Sequence, residues 1–134
     1  MASNKHQMIA GIVARKMKEA GYTIVAFDGK CYWIGERELQ IPPALLKHRP
    51  DLIGINTADE ICIGEAKTTS DITTKRTKRQ LADFINLKSK SGKEIFFFVG
   101  IPLSGKQIFL KVTQELNLEN KKNLITITVP DILL

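Results

Sequence analysis

A chain of 134 residues, 43% apolar and 25% charged, holds enough material for one soluble domain with its own core, and a single domain over residues 1–134 is expected. Lysine and arginine number 20 against 14 acids, and the resulting charge of +6 is compatible with a phosphate-rich partner. No run reaches 18 apolar residues and the opening MASNKHQMIA lacks an apolar segment, so neither a membrane span nor a signal peptide is expected. Cys31 and Cys62 lack CxxC spacing, which argues against a zinc site or a disulfide framework. They read as small buried hydrophobes in a reducing cytosol, and a cytoplasmic location is expected.

Residues 4–20 read as a helix. Ile9, Ile12, Val13 and Met17 recur at helical spacing, Ser3 or Asn4 can cap the start, and Gly21 supplies the stop. His6, in the first turn, reads as a solvated residue rather than a ligand. Residues 22–27 are β-branched and aromatic, hence a strand. Asp28-Gly29 is a hairpin turn signal, with Cys31-Tyr32-Trp33-Ile34 as the returning strand. Pro42-Pro43 is read as opening one short helical turn over ALLKH. Pro50 pushes Arg49 toward an extended conformation and delivers the chain into Asp51.

The stretch RPDLIGINTADEICIGEAK, from Arg49 to Lys67, carries the chemistry. Two apolar runs flank a polar turn centred on Ala58. An antiparallel pair symmetrical about Ala58 sets Ile53 opposite Ile63 and Asp51 opposite Glu65. Directly opposed side chains share a face with Cβ atoms about 4.5–5.5 Å apart, and the alternation of a strand adds Lys67 to it. The reverse face carries Cys62, Gly64 and Ala66, small enough for close packing. Opposed carboxylates repel. A hairpin that keeps them is explained by a hard cation between them, since Mg²⁺ takes one or two carboxylates plus waters and phosphate oxygens. A nearby Lys then stabilises an anion or handles a water proton. The alternative is a surface hairpin with ordinary charges, one residue out of register.

After Lys67 the polar TTSDITT reads as a loop, with a regular helix starting near Thr74 and an apolar face of Leu81, Phe84 and Ile85. Lys75, Arg76, Lys78 and Arg79 form a basic cluster just past the carboxylates. They are either a solvated charged face or a nucleic-acid contact. EIFFFVGI, residues 94–101, is a continuous apolar run suited to a strand buried on both faces. A helix over 104–117 and a strand over 124–129 complete the chain. GIPLSGKQ, residues 100–107, nearly matches a phosphate-binding loop, but Gln107 replaces the hydroxyl residue that holds Mg²⁺ and Pro102 removes a backbone donor.

Pro50-Asp51, Glu65-Ala66-Lys67 and Gln80, set on a helix, a hairpin and a following helix, resemble the motifs of the PD-(D/E)XK nuclease superfamily. Size and spacing are most similar to archaeal-type Holliday junction resolvases, over residues 4 to about 101. The resemblance implies an α/β, restriction-endonuclease-like three-layer α/β/α fold with a central mixed sheet. It implies that Asp51 and Glu65, with the carbonyl of Ala66, are ligands of Mg²⁺ or Mn²⁺. Lys67 would orient or activate the attacking water, or stabilise charge on the scissile phosphate, and Gln80 would support the site. The expected activity is that of a metal-dependent endonuclease hydrolysing DNA phosphodiester bonds. Lys75, Arg76, Lys78 and Arg79 are the expected DNA-binding residues. A homodimer is expected, because cutting two strands is simpler with two active sites. No membrane partner and no small-molecule cofactor are expected. The chain departs from the resolvase pattern at the first helix, where Gln7-Met8-Ile9-Ala10-Gly11 contains no acid. Glu36 or Glu38 is a substitute carboxylate in this reading. The alternative function is a nuclease-fold protein that binds nucleic acid with weak or no catalysis.

Overall fold

The computed structural model describes residues 3–29 and 39–134. Among them a mixed five-stranded sheet is covered on one face by one helix and on the other by two. The elements run α1 (Asn4–Glu19), β1 (Thr23–Phe27), β2 (Leu52–Ile55), β3 (Ile61–Ala66), α2 (Lys75–Ile85), β4 (Phe96–Pro102), α3 (Lys106–Glu115) and β5 (Leu124–Val129), with single 3₁₀ turns before α3 and after β5. Strand order follows chain order. β1–β2 and β2–β3 are antiparallel, whereas β3–β4 and β4–β5 are parallel. Each parallel connection carries a helix, as a crossover requires. The α/β class and the mixed sheet expected from sequence are therefore present. No helix among the described residues is long and apolar enough to cross a membrane.

The hairpin that the sequence centres on Ala58 has the expected register: Ile53 pairs with Ile63, Leu52 with Gly64 and Gly54 with Cys62. Its turn is stitched by Asn56, whose side-chain oxygen accepts the amides of Ala58 at 3.0 Å and Glu60 at 2.9 Å. Asp59 supplies the left-handed residue, at φ 60°. Alternation then splits the sheet between two cores. Cys62, Ala66 and Phe98 pack under α1 with Ile9, Val13 and Met17. Ile63, Phe97, Val99 and Ile101 pack under α2 and α3 with Leu81, Phe84 and Phe109. β4 is buried on both faces after its first residue, in keeping with its unbroken apolar run.

Two glycines let α1 lie close on the sheet. A Cβ on Gly64 would stand 2.8 Å from Met17 Sδ, and one on Gly100 would stand 2.4 Å from Val13 Cγ2 and 2.8 Å from Ile9 Cγ2. The small reverse face of the hairpin thus has the packing role expected for it.

One local reading changes. Residues 44–48 form no helical turn: Leu45 and His48 exchange both backbone hydrogen bonds around Leu46 and Lys47, which hold φ of 49° and 70°. A side-chain anchor favours this turn, because His48 Nε2 lies 2.7 Å from Asp83 Oδ2 on α2 and its ring meets Phe84 edge-on. The loop after Lys67 is also firmly built. Asp71 Oδ2 accepts from the Thr68 amide at 3.2 Å and its hydroxyl at 2.8 Å, and Ile72 is fully buried. On the other side of the hairpin β1 pairs with β2, and Phe27 N–H donates to Gln40 O at 2.9 Å. The returning strand read at residues 31–34, and Glu36 and Glu38, lie outside the described residues.

Gly100→Val should lower the unfolding free energy by about 1–3 kcal/mol, because α1 must lift or its side chains leave their rotamers. Denaturant titration checks it, and an unchanged midpoint would contradict the close packing of α1.

Candidate active site at the end of the β2–β3 hairpin

Asp51 sits one residue before β2 and Glu65 one residue before the end of β3, so the hairpin register brings them together at the edge of the sheet layer. They are joined reciprocally. The Asp51 amide donates to Glu65 Oε1 at 3.0 Å, and the Ala66 amide donates to Asp51 Oδ2 at 2.8 Å. Each carboxylate is therefore held by a backbone N–H of the opposite segment, which fixes both side chains more tightly than packing alone. Pro50 and the His48–Asp83 anchor set the approach of the chain to this point.

Lys67 follows β3, and its amide donates to Gly100 O at 2.9 Å, which extends the parallel pairing past Ala66. Its ammonium donates to Gln80 Oε1 and lies 3.5 Å from Glu65 Oε2. Glu65 and Gln80 are each 2% exposed and Lys67 is 9% exposed. Gln80 is thus a buried polar member of α2, one residue off its apolar stripe, and its partner is the site lysine. All four residues singled out from sequence, Asp51, Glu65, Lys67 and Gln80, converge.

The electrostatics show why the cluster is costly. Burial pushes the Glu65 carboxyl well above the usual carboxylate range, and the negative charge of Asp51 pushes it further in the same direction, against the attraction of Lys67. Cys62, three residues before Glu65 on the other face of β3, is driven by burial up to about 12, which removes it as a nucleophile at neutral pH.

The residue that sequence reading missed is His6. It is not solvated: its Nε2 lies 3.1 Å from Asp51 Oδ2, with the side chain 18% exposed. The hydrogen bond to Asp51 raises the His6 pKa above its ordinary value, overcoming the opposing effect of burial. Helical periodicity gave no signal for it, because His6 acts from the first turn of α1, past the end of the stripe that packs on the sheet. The Ser3 cap fixes that turn by accepting the His6 amide at 3.1 Å.

The basic cluster divides. Lys75, Arg76 and Arg79 are exposed on α2, whereas Lys78 is turned to α3, where its ammonium lies 2.8 Å from Glu115 Oε2. A crevice of about 420 Å³ is lined by the cap residue Ser3, Lys5 of α1, Thr68, Thr69 and Ser70 after Lys67, and Pro102, Asp131 and Leu134; none of the site side chains lines it. The phosphate-loop reading of residues 100–107 loses its loop. Gly100 to Pro102 are paired with β5, and the chain passes through one 3₁₀ turn directly into α3. Little backbone is left to wrap a phosphate.

Among the described residues no group of three or more His, Cys, Asp or Glu side chains is arranged to hold a metal ion. The donor set at the hairpin end is two carboxylates, one of them destabilised by the other. It fits a hard cation that keeps several waters, and does not fit a closed zinc cage.

The pKa directions fix the sign of a pH dependence. Glu65 and His6 both bind a proton more tightly folded than unfolded. The stabilisation from His6 is complete below its unfolded value of 6.5 and fades as pH rises through its folded value. The penalty from ionised Glu65 likewise grows as pH rises from its ordinary 4.5 through its raised value. Metal-free protein should therefore melt at a higher temperature near pH 5.5 than near pH 8, and Glu65→Gln should flatten the difference. Calorimetric scans across this range check both statements, and a midpoint rising toward pH 8 would contradict them. Comparison with protein-family models, with curated proteins and with solved structures gave no match.

Proposed function

We propose that this protein is a metal-dependent endonuclease that hydrolyses DNA phosphodiester bonds, with a restriction-endonuclease-like α/β/α architecture. The observation that carries the reading is the reciprocal pairing of Asp51 and Glu65 beside the buried Lys67–Gln80 pair. A fold gains no stability from burying one carboxylate against another. The arrangement is accounted for by a ligand that needs both.

Asp51 and Glu65, with the carbonyl of Ala66, would hold Mg²⁺ or Mn²⁺. Such an ion, when bound, lowers the pKa of a water and neutralises charge on phosphate oxygens. The chain's own groups do the rest. Gln80 holds the Lys67 ammonium by accepting from it, and Glu65 Oε2 flanks it at 3.5 Å. The ammonium is thereby fixed where it can orient a nucleophilic water or offset the charge of the scissile phosphate. Burial of Glu65, Lys67 and Gln80 lowers the local dielectric and strengthens each of these contacts. Lys75, Arg76 and Arg79 supply a charged face on α2 for the DNA backbone, while Lys78 contributes less because Glu115 already engages it. The crevice lined by Thr68, Thr69 and Ser70 gives room for the strand next to the cleaved bond. A homodimer would set two such sites on one substrate, and sedimentation at micromolar concentration tests it.

A second reading is favoured by one observation. The first helix brings a histidine, not an acid, to Asp51. In this reading the protein binds nucleic acid and cuts weakly or not at all. Cleavage assays with Mg²⁺ or Mn²⁺ on linear duplex, single strand, flap and four-way junction DNA separate the two. Metal-dependent cutting that falls by about 10²-fold or more in Asp51→Ala, Glu65→Ala and Lys67→Ala supports the enzyme. Binding without cutting on every substrate supports the second reading.

The α2 face has its own test. Replacing Lys75, Arg76 and Arg79 together by Ala should reduce the slope of log affinity against log salt by about 2–3, roughly 0.9 per phosphate contact on duplex DNA. An unchanged slope would remove this face from the interface.

A further inference from the structure

We propose that His6 is a positioning residue for Asp51: it locks the carboxylate by one oxygen, Oδ2, so that Oδ1 is the oxygen offered to a bound cation. The inference deepens the nuclease reading and rests on it.

Two donors converge on Asp51 Oδ2, the Ala66 amide at 2.8 Å and His6 Nε2 at 3.1 Å. Neither falls on Oδ1. They come from different layers, the amide from β3 in the sheet and the imidazole from the first turn of α1, which covers one face. One hydrogen bond leaves a carboxylate free to swing about the bonded oxygen. Two from different directions remove that freedom, and turning Oδ2 away would break both. The imidazole is itself held, because the Ser3 hydroxyl oxygen accepts the His6 amide and fixes the start of α1.

The second ring nitrogen argues that stability alone does not account for this placement. His6 Nδ1 is buried and has no hydrogen-bond partner among the described residues. Burying an unpartnered polar atom is unfavourable, and an apolar side chain at the mouth of α1 would avoid it. The one polar contact the ring is given goes to Asp51, with Nε2 as the donor. Conflict between local stability and arrangement is the mark of a functional site.

The test compares wild type, His6→Ala and His6→Gln, the last keeping a side-chain N–H donor of similar reach. In metal-free protein the ring nitrogen resonances of His6 should show a protonated Nε2 and should shift in Asp51→Asn. Calorimetric titration with Mn²⁺ should show affinity reduced about tenfold or more in His6→Ala, the range for losing a partner that orients a metal ligand. His6→Gln should recover most of it. The thermal midpoints of the two variants should agree. Equal Mn²⁺ affinity in wild type and His6→Ala would overturn the proposal, and so would failure of His6→Gln to recover affinity at an unchanged midpoint. If wild type binds no Mn²⁺ while the ring resonances still respond to Asp51→Asn, the His6–Asp51 pairing stands and the nuclease reading falls. Resonances indifferent to Asp51→Asn would overturn the pairing itself.

Discussion

The structure turns on a pair of backbone-to-carboxylate hydrogen bonds that cross the end of the β2–β3 hairpin. Glu65 takes the amide of Asp51, and Asp51 takes the amide of Ala66. These two contacts set a register in which like charges meet, against the ordinary preference of a strand pair. They are possible only because the turn at Asn56 to Glu60 holds its length, and because Gly64 lets Met17 and α1 close over the reverse face. The site is thus a property of the hairpin's register, and a slip of one residue would turn Glu65 into the α1 core.

Around that pair the fold spends polar groups where apolar ones would be cheaper. Gln80 occupies a buried position on α2, Lys67 is nearly enclosed, and His6 buries a ring nitrogen without a partner. Their neighbours are ordinary core: Leu81 and Phe84 beside Gln80, Ile63 and Ala66 beside Glu65. The contrast is local, and it falls where all three layers reach the same edge. α1 supplies His6, the sheet supplies Asp51, Glu65 and Lys67, and α2 supplies Gln80.

Much of this was legible in the sequence for physical reasons. Strand alternation needs only counting, so the facing of Ile53 with Ile63 and of Asp51 with Glu65 followed from the position of Ala58. Unbroken apolar character announced β4, and Thr74 announced the start of α2, which it caps. Less legible was the 44–48 turn. Two prolines suit a helix start equally well, and what fixes the reverse turn is His48 reaching Asp83, a partner far along the chain. The segment after Lys67 read only as a polar loop, because nothing local shows that Asp71 collects the Thr68 donors or that Ile72 plugs the core.

Sequence by itself determined the order of helices and strands and narrowed the hairpin to two registers, one of which brings two carboxylates to a lysine, because these depend on periodicity and on contacts between neighbouring strands; the structure holds that one. Tertiary structure alone decided that His6 belongs to the site and that Lys78 turns away from its basic neighbours to Glu115. Both depend on how helices are rotated and docked on the sheet. That is set by the packing of Met17 on Gly64 and of Val13 on Gly100, and no spacing within α1 or α2 encodes which distant side chain a first-turn residue will face.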